Sequence, residues 1–511
     1  MSFLSATSVR DLDAAAIRDG TPGTDLMARA CRALADEVLF LMEHRRGSVL
    51  ICAGPGNNGG DGFGLALHLQ QSGVPVDVWV AAGRERVTGD ARVFLEAAEG
   101  SGVSIHFRPD AAEWSHPPLF CPPYALLVDA LLGTGSRSAP EGVLAAAILA
   151  LKTLSSQAPL FAVDLPSGLN PDTGLPFDPT LCLQADFTLT LAAAKLGFSH
   201  DASAEWTGSV TVLDLGFSES DLALHAEGVD AVMDLRQARR LLLPPAVDTH
   251  KGRQGHLAVI GGSSGMCGAP VLSSRAALRS GAGLVTLFGP PLCSAAAHMY
   301  PELMTRTLNA GKKGTLCEQP LDLGRANAVL LGPGMSVDED TRAFTRVLLR
   351  TWPGPTVLDA SALGVLAGLP EPVGPSRVLT PHPGEMSLLL GLPLEALQQD
   401  RAGAVDTAIR RSGSTVVLKG PHTRIGSPTG ARWINLNGNP GLATAGSGDV
   451  LGGILGALLA KGLSPEHAAP LAVFLHGRAG DVASMRKGRS GMCSGDVIDA
   501  MPSVLHHLQG R

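Results

Sequence analysis

The chain is punctuated by short apolar runs, each stopped by a loop rich in glycine, aspartate or proline. In the first half the runs span residues 49–53, 76–80, 125–131, 160–163, 187–191 and 210–213, most of them separated by helical or turn-rich stretches. Runs this short and this apolar, alternating with helical segments, predict buried parallel strands of a doubly wound α/β sheet. Such sheets bind ligands beyond the carboxyl ends of their strands, so the loops that end the runs are where chemistry is expected. A second series follows at 256–260, 284–288, 328–331, 356–358, 377–379 and 415–418, with loops such as GGSSG, GPGM, DASAL, TPHPGE and KGPHT behind the strands. Between the two, from Ser218 to Pro245, the pattern weakens into a charged, alanine- and leucine-rich segment. A boundary falls there, giving an N-terminal domain over 1–222 and a C-terminal domain over 223–511. The halves read as different α/β domains, since no fixed-period repeat joins them.

With 40 basic against 47 acidic residues, a net charge of −7 and no long basic run, the chain does not suit nucleic acid or an acidic membrane surface, and small molecules remain as partners. The eight cysteines form no CxxC or CxxH pair, which argues against a zinc knuckle or a disulfide framework and for buried free thiols in a reducing compartment. The N-terminus carries charge from Arg10 onward without a signal-type apolar segment, and the longest apolar stretch, 450–460, is too short to span a bilayer. A cytoplasmic homo-oligomer is expected.

The most specific loop of the first half is GPGNNGGDG. Its glycines permit tight turns and close approach of backbone amides to an anion at a helix start, although such a turn also serves merely to pack helix on sheet. Asn57, Asn58 and Asp61 among those glycines are more polar groups than capping requires. Two further loops carry Asp129, before LLGTGSRSAP, and Asp164 with Ser167. A carboxylate, a carboxamide oxygen and a hydroxyl are hard ligands suited to an alkali or alkaline-earth cation. For any one of these aspartates the alternative is capping of a helix or turn.

GPGNNGGDG, VDALLGTG and VDLPSG, in that order, resemble the NAD(P)H-hydrate epimerase domain over about residues 8–218, which implies a Rossmann-like doubly wound fold. The resemblance implies a hydrate site of Asn57, Asn58, Gly59, Gly60, Asp61, Gly133, Thr134, Gly135, Ser136, Arg137, Ser138, Ala139 and Asp164. It also implies a K+ site of Asn58, Asp129 and Ser167. Inversion at the hydroxyl-bearing C6 of the reduced nicotinamide ring needs a general acid or base at that carbon, the role expected of Asp164. Lys195, in LAAAKLGF, reads as a solvated or structural lysine, with approach to a phosphate as the alternative.

In the second half NGNPGLATAGSGDVLGGILGALLAKG, residues 437–462, predicts an anion hole followed by a helix. Gly446, Ser447 and Gly448 direct free amides at a nucleotide phosphate, and Asp449 in the first helical turn takes the proton of an attacking hydroxyl. The plainer alternative is that Asp449 caps the helix and its glycines pack it. Together with HKGRQGHLAVIGGS, ALRSGAGLV, LGPGM, LTPHPGE and LKGPHT, this segment resembles the ribokinase-like ADP/ATP-dependent NAD(P)H-hydrate dehydratases from about His250 onward. That implies a hydrate near Ala269, Gly334, His382 and Asp449, and an adenine nucleotide near Lys419, Gly420, Pro421, His422, Thr423 and Gly448, with Mg2+ bridging the donor phosphates. His382 is otherwise read as a core or capping histidine. Two positions depart from the family pattern: Met266 and Cys267 precede Gly268 and Ala269 where an aromatic residue is usual, and Ser361 in DASAL replaces a common second acidic residue.

The expected function is bifunctional metabolite repair, an isomerase fused to a lyase. One domain interconverts the R and S epimers of hydrated NADH or NADPH; the other dehydrates the S epimer at the expense of ADP, with ATP as a further donor, releasing AMP and phosphate. The alternatives are a vitamin or sugar kinase of ribokinase-like fold, and a first domain that is only a nucleotide-binding scaffold.

Overall fold

Val49–Ala53 is buried at every position, and its β-branched and aliphatic side chains suit a strand covered on both faces. It lies between the parallel strands Val76–Val80 and Leu126–Ala130. Across this sheet the order is Ser104–Phe107, Val76–Val80, Val49–Ala53, Leu126–Ala130, Leu160–Val163, Phe187–Leu191 and Ser209–Leu213, with every neighbour parallel. The computed structural model describes residues 2–43, 45–115, 124–242, 244–310, 315–317, 319, 321–368 and 371–510. These form two compact units, Met1–Arg236 and Gln237–Arg511.

In the first unit Leu50, Cys52, Leu127 and Leu160 meet Ile148 and Leu151 of helix Gly142–Leu154 on one face of the sheet. Helix Asn57–Gln71 covers the same strands and starts immediately behind the glycine-rich turn. Its glycines answer to packing: a Cβ on Gly62 would lie 2.7 Å from Ala130 Cβ and 3.3 Å from Ile51 Cγ2. A phosphate cradle does not account for them, because Gly59 and Gly60 are equally closed in, against the Gly54 carbonyl and against Met27 and Ala91.

The second unit repeats the principle with a different order. Met304–Thr307, Leu284–Gly289, His256–Ile260, Ala328–Leu331, Thr356–Leu358, Arg377–Leu379 and Thr415–Leu418 run parallel, and Thr423–Gly426 and Arg432–Asn435 continue antiparallel. Both units are therefore α/β with parallel sheets, as the alternation of apolar runs predicts. The described cysteines are free thiols. Among the described residues no helix is long and apolar enough to cross a membrane.

Candidate functional site

In the first unit the chain leaves Val49–Ala53 toward one edge of the sheet and Leu126–Ala130 toward the other, so a crevice opens beyond their carboxyl ends. A cavity of about 610 Å³ lies there. Asn57, Asn58 and Asp61 border it from the first turns of their helix, Gly133 to Ser136 from the next loop, and Asp164 from the loop after Leu160–Val163. Gly59, Gly60, Arg137, Ser138 and Ala139 do not line it.

Asp164 adopts φ 67°, a left-handed conformation in which a non-glycine residue is uncommon. Its Oδ1 accepts hydrogen bonds from Leu191 N at 3.1 Å and Thr190 Oγ1 at 3.3 Å, and lies 2.6 Å from Lys195 Nζ. Lys195 is fully buried and also donates to the carbonyls of Leu191 and Ala193. The solvated reading of this lysine is thus overturned: burial beside a carboxylate makes it the cation that compensates Asp164. Asp61 is 7% exposed, and burial, with Asp164 and Asp13 nearby, pushes its carboxyl well above the ordinary range. Burial also pushes Asp13, on helix Ala6–Arg18, up to about 6, with Lys195 pulling down and Asp164 pushing up.

Asp129 is completely buried. Its Oδ1 accepts from Ser167 Oγ at 2.7 Å and Leu131 N at 3.1 Å, and its Oδ2 from Ser167 N at 2.7 Å. Ser167 Oγ accepts in turn from Leu132 N at 2.9 Å, which ties the two loops together. Burial still pushes Asp129 up to about 6 against those hydrogen bonds. Asn58 packs against Gly133, and its Nδ2 is buried without a hydrogen-bond partner.

In the second unit, helix Ser447–Ala460 begins at Gly446, whose φ of 85° favours glycine, and no side chain caps it. Ser447 N donates to Thr444 O at 3.3 Å, and the next amides of the first turn, those of Gly448 and Asp449, are open to an anion. Lys419, just past Thr415–Leu418, brings Nζ to 2.9 Å from Asp359 Oδ1 and 3.7 Å from Glu385 Oε2. A Cβ on Gly448 would lie 3.4 Å from the same nitrogen, so lysine and helix start face each other. Asp359 follows Thr356–Leu358 and also accepts from Thr380 Oγ1 at 2.8 Å. Burial, reinforced by Asp359 and opposed by Lys419, pushes Asp449 up to about 7. Burial works against the Lys419 charge, yet Asp359 and Glu385 hold its pKa above the ordinary lysine value. An anion hole, a fixed cation and a carboxylate poised near neutrality can together activate a hydroxyl beside a phosphate donor.

The remaining candidates distribute around this pole. Gly334, at φ 66°, packs on the Met266 backbone, and a Cβ there would lie 3.3 Å from Ala269 Cβ, so Ala269 and Gly334 share one wall. Met266 is exposed, and Cys267 Sγ sits 2.9 Å from Cys293 Sγ. His382 caps helix Pro383–Leu390: its Nδ1 accepts from Glu385 N at 3.2 Å, and the ring stays largely exposed. Arg401 Nη1 donates to Pro421 O at 2.6 Å, pinning the loop of Gly420 and the buried His422, and Thr423 opens the following strand. Ser361 donates to Met335 O, a structural use of the position.

Reasoning from sequence missed Asp13, Asp359 and Glu385. For Asp359 the signal was present, since it follows an apolar run as Asp164 does. Asp13 interrupts the apolar i, i+4 stripe of Val9 and Ile17.

A family model described as NAD(P)H-hydrate dehydratase matches residues 257–503, and one described as YjeF-related protein N-terminus matches residues 23–197. The bifunctional NAD(P)H-hydrate repair enzyme Nnr of Moorella thermoacetica is 38% identical, over 90% of this chain and 88% of its own. Those of Thermofilum pendens and Escherichia coli are each 34% identical, over 100% and 89% of this chain and 97% and 85% of their own. A solved ADP/ATP-dependent NAD(P)H-hydrate dehydratase from Bacillus subtilis, co-crystallised with ATP/Mg2+, aligns with a TM-score of 0.48 at 28% identity, covering 55% of this chain and 100% of that one. With both halves matched and relatives aligned over nearly its whole length, the chain belongs to the family of bifunctional NAD(P)H-hydrate repair enzymes.

Proposed function

We propose that residues 1–222 epimerise the C6 hydroxyl of hydrated NADH and NADPH and that residues 223–511 dehydrate the S epimer, with ADP as donor and ATP as a further one. The observation that carries this reading is that one chain holds two carboxylate sites built for different work. Asp164, paired with Lys195, faces a cavity large enough for a ring and its substituents. Asp449 instead stands at an uncapped helix start facing Lys419, the arrangement phosphoryl transfer needs.

In the second site Asp449 takes the proton of the C6 hydroxyl as its oxygen attacks the terminal phosphoryl group, and AMP leaves. The C5 proton then passes to solvent, the C5–C6 double bond forms, the C6–O bond breaks and phosphate departs. Lys419 and the first-turn amides hold the donor phosphates, Ala269 and Gly334 wall the hydrate, and His382 lies at the rim. Asp359 and Glu385 place hard oxygen donors beside Lys419, which fits an Mg2+ carried largely by the phosphates. Bound there, Mg2+ would neutralise charge on the transferring group.

In the first site Asn57, Asn58, Asp61 and the 133–136 loop hold the hydrate, and Asp164 exchanges the hydroxyl proton. Asn58, Asp129 and Ser167 offer K+ hard oxygens: Asp129 is a buried carboxylate that hydrogen bonds only partly compensate, Ser167 Oγ lies against it, and Asn58 would contribute its Oδ1 from beside Gly133. K+ would supply the missing positive charge. A cytoplasmic homo-oligomer completes the proposal, and light scattering on the purified chain tests its assembly.

The variants Asp164→Ala and Asp449→Ala test the division of labour. The first should lose epimerisation above the spontaneous rate and keep dehydration of the S epimer; the second should do the reverse. A stable phosphorylated product in place of free phosphate and restored dihydronicotinamide absorbance would favour a kinase instead.

A further inference from the structure

We propose that Asp13 is a second catalytic carboxylate of the first cavity, handing a proton to the ring nitrogen of the bound hydrate while Asp164 takes the proton of the C6 hydroxyl; this rests on the epimerase reading of that cavity. Asp13 sits in the middle of helix Ala6–Arg18, where aspartate is a poor helix former, and Val9 and Ile17 of the same face line the cavity with it. Val9 and Leu12 beside it belong to an apolar cluster with Leu26, Ala192 and Leu215. A half-buried carboxylate at the rim of such a cluster destabilises the fold unless something compensates it. Asp13 caps no helix, and among the described residues its side chain makes no hydrogen bond.

The groups that face it belong to the cavity. They are Asp61, only 7% exposed, Asp164 and the fully buried Lys195, with Arg10 and Asp90 on the same lining. Lys195 is engaged at 2.6 Å by Asp164. Burial pushes Asp13 up to about 6 and holds Asp61 well above the ordinary range, so a carboxylate paired with Lys195 stands beside two carboxyls whose hold on a proton is strengthened. Both line the cavity, and Asp13 is the more open of the two.

Epimerisation needs such a pair, because C6 bears both the hydroxyl and the ring nitrogen N1. The hydroxyl proton passes to Asp164, the C6=O bond forms, the C6–N1 bond breaks, and its electron pair goes to N1, which takes the proton of Asp13. Rotation about C5–C6 presents the other carbonyl face, and reclosure returns both protons. The balance closes with these two groups alone.

The test uses the full-length enzyme with purified R epimer and saturating ADP, following recovery of dihydronicotinamide absorbance, with S epimer as a parallel substrate. Asp13→Asn should lower kcat for the R epimer by about 10²- to 10⁴-fold with KM nearly unchanged, while S-epimer turnover stays at wild type and reports a folded chain. Asp13→Glu should recover part of the loss. In wild type the ratio of R-epimer to S-epimer turnover should decline as pH rises past about 6, where Asp13 gives up its proton, and that decline should vanish in Asp13→Asn. An Asp13→Asn enzyme with wild-type kcat, or with only a raised KM, overturns the proposal. If Asp164→Asn also retains R-epimer turnover, the epimerase reading of the cavity fails as well.

Discussion

Replacing Asp449 by asparagine should stabilise the second unit above neutral pH while removing its reaction. Burial and the neighbouring Asp359 raise the folded-state pKa from 3.8 to about 7. The folded chain therefore keeps a proton that the unfolded chain releases across that window, and stability falls as pH rises through it. At about 1.4 kcal/mol per pKa unit the full shift corresponds to about 4 kcal/mol. The carboxylate lines a cleft partly open to water, and solvent screening brings the expected gain to about 2 kcal/mol at pH 8, with less than half of it at pH 5. Guanidinium unfolding of full-length wild type and Asp449→Asn at the two pH values, following the transition that ADP shifts, measures it. S-epimer dehydration in the variant should fall at least about 10²-fold. Equal stability of the two proteins at pH 8, or a gain confined to pH 5, would refute the buried-carboxylate argument.

Other perturbations separate structural from chemical roles. In wild type, kcat/KM for S-epimer dehydration should rise with pH through about 7 as Asp449 loses its proton; a flat profile would remove it as the base. Lys195→Met leaves the Asp164 carboxylate without its cation and should cost about 3 kcal/mol in chemical denaturation along with epimerisation; a cost near zero would mean the pair is solvated. Gly62→Ala forces a methyl onto Ala130 and Ile51 and should cost about 1–3 kcal/mol, whereas Gly135→Ala, with nothing within 4 Å of the new methyl, should be nearly neutral; equal effects would contradict the packing role. Ser167→Ala removes two hydrogen bonds under Asp129 and Leu132, costing about 1–3 kcal/mol, and should raise the K+ concentration needed for half-maximal epimerisation. An unchanged K+ dependence would refute the cation site.

The buried strands are legible in sequence because parallel strands covered on both faces leave continuous apolar runs. The strands the runs do not reveal include two edges, the antiparallel hairpin, and the short strands Ser2–Leu4, Ala194–Lys195 and Glu227–Ala231, which pair with one another. Ser104–Phe107 and Met304–Thr307 mix polar and exposed residues, and Thr423–Gly426 with Arg432–Asn435 carry arginines, so period and hydrophobicity both fade. At the sites, Asp129 and Asp164 declare themselves by following apolar runs and Asp449 by its glycine-rich helix start, whereas Asp359 follows an apolar run without a distinctive loop and passes unnoticed. Lys195 does not: flanked by apolar residues, it reads as solvated or structural, and the structural reading is decided only once Asp164 is placed against it. Asp13 is hidden for a related reason, since one polar residue in a helical stripe looks like noise until the cavity it faces is known.

A mixture of the R and S hydrates of NADH, supplied with ADP and Mg2+ and followed by dihydronicotinamide absorbance to completion, tests whether one chain joins the two repair activities. Recovery of the whole mixture with one phosphate released per molecule is expected, and in Asp164→Ala conversion beyond the S fraction should slow to the spontaneous rate of epimerisation. Wild-type recovery that stops at the S fraction, or accumulation of a phosphorylated hydrate without restored absorbance, would contradict it.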